Sequence, residues 1–190
     1  MTGDDLIEFG RLAALYADGE CRLTVQQNIL IPHVPEERVD DLLAEPLLQQ
    51  YSPQPSAFAR SLVSCTGNDF CHFSLIDTKG EAIRLAQALD REYEIAEPVR
   101  IHMSGCPHAC GQHRIADVGL QGDRVRRDGH VIDAAHVFSG GRLGDDARLG
   151  RPVKSGVAVD DLPALVVQQL RELRGSGVVR ERAAVGAAEA

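Results

Sequence analysis

The feature that most constrains this 190-residue chain is the placement of its cysteines. Four of the five fall into two close pairs. Cys65 and Cys71 have five residues between them, Cys106 and Cys110 have three, and 34 residues separate the pairs. Two thiols close in sequence lose little chain entropy when they are brought together, so such pairs suit a four-thiolate metal site. Gly67, Gly105, Pro107 and Gly111 lie in the same segments, where they let the backbone wrap closely and aim N–H groups at sulfur. A cubane iron–sulfur cluster takes four thiolates. Structural zinc takes four as well, but its knuckles carry roughly two to four intervening residues, which the first pair exceeds. Disulfides and a chance grouping of buried thiols are the remaining alternatives. The residue pattern alone favours a cluster and leaves the others standing.

Composition narrows the class. The chain is 44% hydrophobic, enough for a core, and 25% charged. Its net charge of -8 works against nucleic acid and anionic membrane as partners, both of which need basic patches. Aromatics make up 4% and Trp is missing, so stacking platforms for bases or sugars are not expected. No apolar run of about 18 residues exists to span a bilayer. The acidic start, MTGDDLIEF, has no basic and apolar signal pattern. A cytoplasmic location is therefore expected, and with it reduced thiols.

Periodicity divides the chain in two. Leu6, Ile7, Leu12, Leu15 and Tyr16 predict a helix over 4–17, and the run from Cys21 to Leu30 predicts a strand. Pro35-Glu36-Glu37 opens a second helix, with Val39, Leu42, Leu43, Leu47 and Leu48 as its apolar stripe. Ser52-Pro53-Gln54-Pro55 marks a linker. Beyond it the pattern predicts a helix over 79–92, strands over 99–103 and 115–120, a hairpin from Arg124 to Phe138 around Asp128-Gly129, and a closing helix over 162–173. Residues 176–190 offer little to bury and are expected to fray as a disordered tail.

At the cysteines the sequence resembles a known family. Cys65-Thr66-Gly67-Asn68-Asp69-Phe70-Cys71, Asp77-Thr78-Lys79, Gly105-Cys106-Pro107-His108-Ala109-Cys110-Gly111-Gln112 and Ile115-Ala116-Asp117-Val118-Gly119 look like the siroheme nitrite/sulfite reductases. Leu23-Thr24-Val25-Gln26-Gln27-Asn28-Ile29 is similar to the strand of that family's ferredoxin-like half-domain. The resemblance covers roughly residues 5–173 and implies an α+β fold: a ferredoxin-like half-domain over 1–52, then an α/β [4Fe–4S] and siroheme domain over 56–175. It implies that Cys65, Cys71, Cys106 and Cys110 hold a [4Fe–4S] cluster, with Cys110 also bridging to the siroheme iron. It further implies a single-electron donor such as ferredoxin, and a small anionic substrate reduced by six electrons, nitrite to ammonia or sulfite to sulfide.

The chain departs from that family in two places. Family enzymes carry two copies of this unit with siroheme between them, and the first copy supplies most substrate-gripping cations. Only 64 residues precede Cys65, enough for one half-domain, so a homodimer or a partner chain is expected to supply the rest. A heme-free [4Fe–4S] electron-transfer or assembly module is the alternative. His108 stands where the family usually has Asn, and either hydrogen-bonds a heme carboxylate or is a tolerated polar change. Asn68 and Gln112 are candidates to hydrogen-bond cluster or heme. His72, His102 and His113 flank the motifs, and Arg124, Arg126 and Arg127 form the best local basic patch. Cys21 reads as a redox thiol or a small buried hydrophobe. Gly140-Gly141-Arg142 lacks the Lys-Ser/Thr ending of a phosphate loop.

Overall fold

The computed structural model describes residues 1–182 and divides the chain into two compact units, Met1–Pro55 and a second that begins at Ser56. No helix among the described residues is long and apolar enough to cross a membrane.

In the first unit, helix α1 (Gly3–Tyr16) begins at a reciprocal cap. The Thr2 hydroxyl accepts from the Asp5 N–H, and the Asp5 carboxylate accepts from the Thr2 N–H at 2.6 Å. Phe9 and Leu12 face inward against Leu42, Leu47 and Leu48. The expected strand over 21–30 is instead a small hairpin of β1 (Arg22–Leu23) and β2 (Ile29–Leu30), paired antiparallel. Thr24 turns the chain. Its N–H donates to the Asn28 carbonyl at 3.0 Å, and its hydroxyl accepts from the Asn28 N–H at 3.1 Å. The single helix expected from Pro35 is broken into a 3-10 turn at 36–38, α2 (Val39–Leu43) and α3 (Pro46–Gln50). Pro46 has no N–H to continue α2 and instead opens α3.

The second unit carries α4 (Ala57–Ser61), β3 (Leu62–Ser64), α5 (Thr78–Glu92), β4 (Tyr93–Ile95), β5 (Ile101–Ser104), β6 (Val118–Arg127), β7 (His130–Ser139), β8 (Arg151–Ala158), α6 (Leu162–Arg174) and β9 (Val179–Glu181). Five strands form one sheet in the order β3-β5-β6-β7-β8, parallel across β3-β5-β6 and antiparallel beyond. The segment β3–α5–β5 is a crossover between parallel neighbours. Leu85 and Leu89 of α5 and Val166 and Leu170 of α6 share one buried cluster with Ile101, Met103, Val118, Leu120 and Val137. Strand alternation therefore turns His102, Ser104, Gln121 and His136 to the opposite face. Asp128 and Gly129 both take positive φ and match the strand twist, and the β6–β7 ladder runs back to Val118↔Ser139, taking in the end of the strand expected over 115–120.

Strand β8 was not expected. Its first five residues are exposed and include Pro152, so no in-out alternation announces it. The expected fraying from residue 176 is also corrected. Val178 and Val179 are buried, β9 pairs with β4, and the Arg182 N–H donates to the Glu92 carbonyl at 2.8 Å. Residues 183–190 of that expected tail lie outside the described residues.

Candidate metal centre

The parallel pair β3 and β5 places the two cysteine loops side by side. Ser64↔Met103 is the last rung of their ladder, so Cys65 and Cys106 each follow the end of adjacent strands. The pairing continues one step, with the Cys65 N–H on the Met103 carbonyl at 3.0 Å. Next, the Gly105 N–H points at the Cys65 Sγ at 3.2 Å, so one loop's amide bonds the other loop's thiol. Leu75 N–H on the Gly105 carbonyl, at 2.9 Å, closes the link from the first loop back to the second.

Each loop is held internally as well. In the first, the Cys71 N–H donates to the Gly67 carbonyl at 3.0 Å and the Asn68 N–H to the Ile76 carbonyl at 3.2 Å. Gly67 has φ +77 and no room for a side chain beside Thr78. The buried Thr78 hydroxyl donates to the Cys65 carbonyl at 2.7 Å and lies 3.5 Å from the Cys65 Sγ. The Lys79 ammonium donates to the Ser64 carbonyl at 3.0 Å. Burial pushes Lys79 below its usual range, and the Cys65 thiolate offsets part of that shift. Asp77 caps α5 by accepting from the Gly80 N–H at 2.8 Å, which fixes the helix start that carries Thr78 and Lys79.

In the second loop, Ala109 and Gln112 both adopt left-handed φ near 59°. The Gln112 N–H donates to the Ala109 carbonyl at 2.7 Å. A Cβ on Gly111 would lie 2.1 Å from the Met103 carbonyl oxygen, so the loop is pressed against the end of β5. Beneath it the buried Ser104 hydroxyl accepts from the Gly111 N–H at 3.1 Å and shares a hydrogen bond with His113 Nδ1 at 2.9 Å. Burial pushes His113 down to about 4, so its ring is neutral near pH 7.

The predicted residues therefore gather at one end of the sheet, with unequal exposure. Cys106 is buried, Cys65 and Cys71 are half-buried, and Cys110 is exposed. Asn68, His108 and Gln112 are exposed on the same two loops. The His108 ring meets the Phe73 ring edge-on at 5.0 Å, a further contact across the loops. Phe70 and Phe73 are 84% and 68% exposed beside them, an apolar surface at the mouth of the centre. His102 is buried on β5, whereas His72 is exposed. Cys21, in the first unit, donates weakly to the Phe9 carbonyl at 3.6 Å. Sequence reading missed Ser104 and gave no role to Thr78, because a lone hydroxyl carries no signal until the loop it holds is seen.

The donor set can be tested against its candidate metals. All five cysteines are free thiols. Among the described residues, the group of three ligand-type side chains with donor atoms within 4.8 Å of one another is Asp18, Glu20 and His33, so no three cysteine sulfurs approach that closely. The all-thiolate set fits a cubane, whose ligands bind separate corners.

Comparison with known proteins agrees with this. Residues 56–177 match the nitrite and sulphite reductase 4Fe-4S domain, and residues 1–48 match the nitrite/sulfite reductase ferredoxin-like half domain. The ferredoxin--nitrite reductase of Synechococcus elongatus is 48% identical over 176 residues, 93% of this chain and 34% of that protein. The chloroplastic ferredoxin--nitrite reductase of Zea mays is 45% identical over 181 residues, 94% of this chain and 32% of that protein. The structure of the Mycobacterium tuberculosis NirA protein superposes with a TM-score of 0.76 at 29% identity, covering 87% of this chain and 32% of that one. The chain thus spans about a third of the length of the relatives it matches. With a family match over most of its length and four free thiols at the end of two parallel strands, the chain belongs to the nitrite and sulphite reductase 4Fe-4S domain family.

Proposed function

We propose that this chain is the cluster-bearing part of a ferredoxin-dependent nitrite reductase. In this reading Cys65, Cys71, Cys106 and Cys110 would hold one [4Fe–4S] cluster, and Cys110 would also couple it to a siroheme. The carrying observation is the Gly105 N–H on the Cys65 Sγ at 3.2 Å, which joins the two cysteine loops through a thiol. Nitrite is favoured over sulfite because the S. elongatus and Z. mays relatives are named as nitrite reductases. When bound, the cluster supplies one-electron transfer, and siroheme supplies six-electron reduction of the anion.

The chain's own residues serve this in definable ways. Gly105 donates to a ligand sulfur, which stabilises the thiolate and tunes the cluster. Thr78 and Lys79 fix the backbone around Cys65. Cys110 is exposed, as are Phe70, Phe73 and His108 on the two cysteine loops, which leaves one side of the centre open to a large cofactor. Asn68, His108 and Gln112 are the polar groups on that side.

With a net charge of -8, the cations that grip the anion are assigned to another polypeptide segment, a partner chain or a second copy of this chain. Arg124 is engaged by Asp133 at 3.5 Å and Arg127 by Asp161 at 3.4 Å, so this patch is partly neutralised. The test is iron, sulfide and siroheme content per chain after anaerobic purification. About four iron and four sulfide with siroheme support the full reading. Cluster without siroheme, even with a partner chain supplied, selects the heme-free electron-transfer module. Stoichiometric zinc overturns both.

A further inference from the structure

We propose that Ser104 and His113 are positioning residues that clasp the second cysteine loop and thereby set the potential of the cluster. The proposal rests on reading Cys106 and Cys110 as cluster ligands. Residues 104–113 leave β5, present both cysteines and return. One hydroxyl closes this excursion, because Ser104 Oγ binds the Gly111 N–H at 3.1 Å and His113 Nδ1 at 2.9 Å. Both side chains are 1% exposed.

Two features show that the loop needs such a clasp. Ala109 and Gln112 take left-handed φ, a conformation non-glycine residues hold only where their surroundings enforce it. Gly111 is packed so close to the Met103 carbonyl that no side chain fits. The His113 ring is itself an odd choice for its place. It lies 4.9 Å from the Phe138 ring, and its Nε2 is buried without a hydrogen-bond partner. A phenyl group would bury the same shape without that cost. The Nδ1 bond to Ser104 is what a histidine adds here.

Gly111 follows Cys110 directly, so the clasp acts on that ligand through one peptide unit. Cluster potential responds to hydrogen bonds near the sulfurs and to solvent exposure. With the hydroxyl gone, the Gly111 N–H loses its acceptor and the loop opens to water beside the exposed Cys110. Water dipoles favour the more negative, reduced cluster, so the midpoint moves positive.

The test uses the full chain reconstituted anaerobically with iron and sulfide, as wild type, Ser104→Ala, Ser104→Thr and His113→Phe. Iron and sulfide content, EPR-monitored redox titration and melting of the apo forms are recorded. Wild type and variants are expected to hold about four iron. Ser104→Ala and His113→Phe should change the reduced-to-oxidised ratio at fixed potential by tenfold or more, about 59 mV for one electron, while Ser104→Thr stays near wild type. If both retain the wild-type midpoint and only melt earlier, the role is structural and the proposal falls while the cluster reading stands. If Ser104→Ala fails to retain iron, His113→Phe decides by the same criterion. A wild-type chain that takes up no iron overturns the ligand reading and the clasp together.

Discussion

The Gly105 amide and the Cys65 thiol, 3.2 Å apart, are contributed by different loops and different strands, yet they form one hydrogen bond. That bond makes the metal centre a property of the β3–β5 pairing rather than of either cysteine motif. A Cβ at residue 105 would lie 1.8 Å from Ser74 Oγ and 2.9 Å from Ser74 Cβ. Gly105→Ala should therefore push the loops apart and reduce bound iron several-fold, measured by iron and sulfide assay. Adding Ser74→Gly removes both clashing atoms and should restore most of the loss.

The cysteines themselves give a sharper division. Cys65→Ala and Cys71→Ala should each leave less than about one iron per chain, since a cubane needs four thiolates. Cys110→Ser should remove cluster and siroheme coupling together. Full reductase activity of that variant in a reconstituted complex would show the bridging role to be misassigned.

Acid should weaken the second unit through His113. Its folded value of about 4 lies below the ordinary 6.5 because burial disfavours the charged ring. Between those values the unfolded chain binds a proton that the folded protein refuses. Stability is therefore complete above pH 6.5, falls as pH drops toward 4, and is flat below that for this group. The loss is at most about 3 kcal/mol. Denaturant midpoints of the apo protein between pH 7 and 4 measure it, and His113→Phe should flatten the slope.

Asp117 joins three segments. Its carboxylate accepts from the Arg100 N–H at 2.8 Å and from the Arg174 guanidinium at 2.7 Å, and its carbonyl accepts from the Gly140 N–H at 2.9 Å. Asp117→Ala strands the part-buried Arg100 amide and half of a partly buried ion pair. A loss of about 2–3 kcal/mol is expected from chemical denaturation.

How much of this was legible in the sequence depended on the kind of interaction. The thiol pairs, helix α5 and the Asp128-Gly129 turn are local signals, and each was readable from a few neighbouring residues. The hairpin at 22–30 hid inside a run of strand-forming residues, because a threonine turn spends no glycine or proline. Strand β9 hid because Val178 and Val179 are an apolar pair too short to carry a period, and only pairing with β4 gives them a place. The Ser104–His113 pair needed the second loop to fold back onto β5 before either residue had a meaning. Asn68, His108 and Gln112 were singled out by their place inside the cysteine motifs, and all three lie exposed on the two cysteine loops.

The unequal burial of the four sulfurs also sets an order of wear. Dioxygen and peroxide reach exposed thiolates before buried ones, so ageing in air should begin at Cys110 and reach Cys106 last. The most exposed thiol is thus the first to wear, and whatever comes to cover Cys110 serves as its shield.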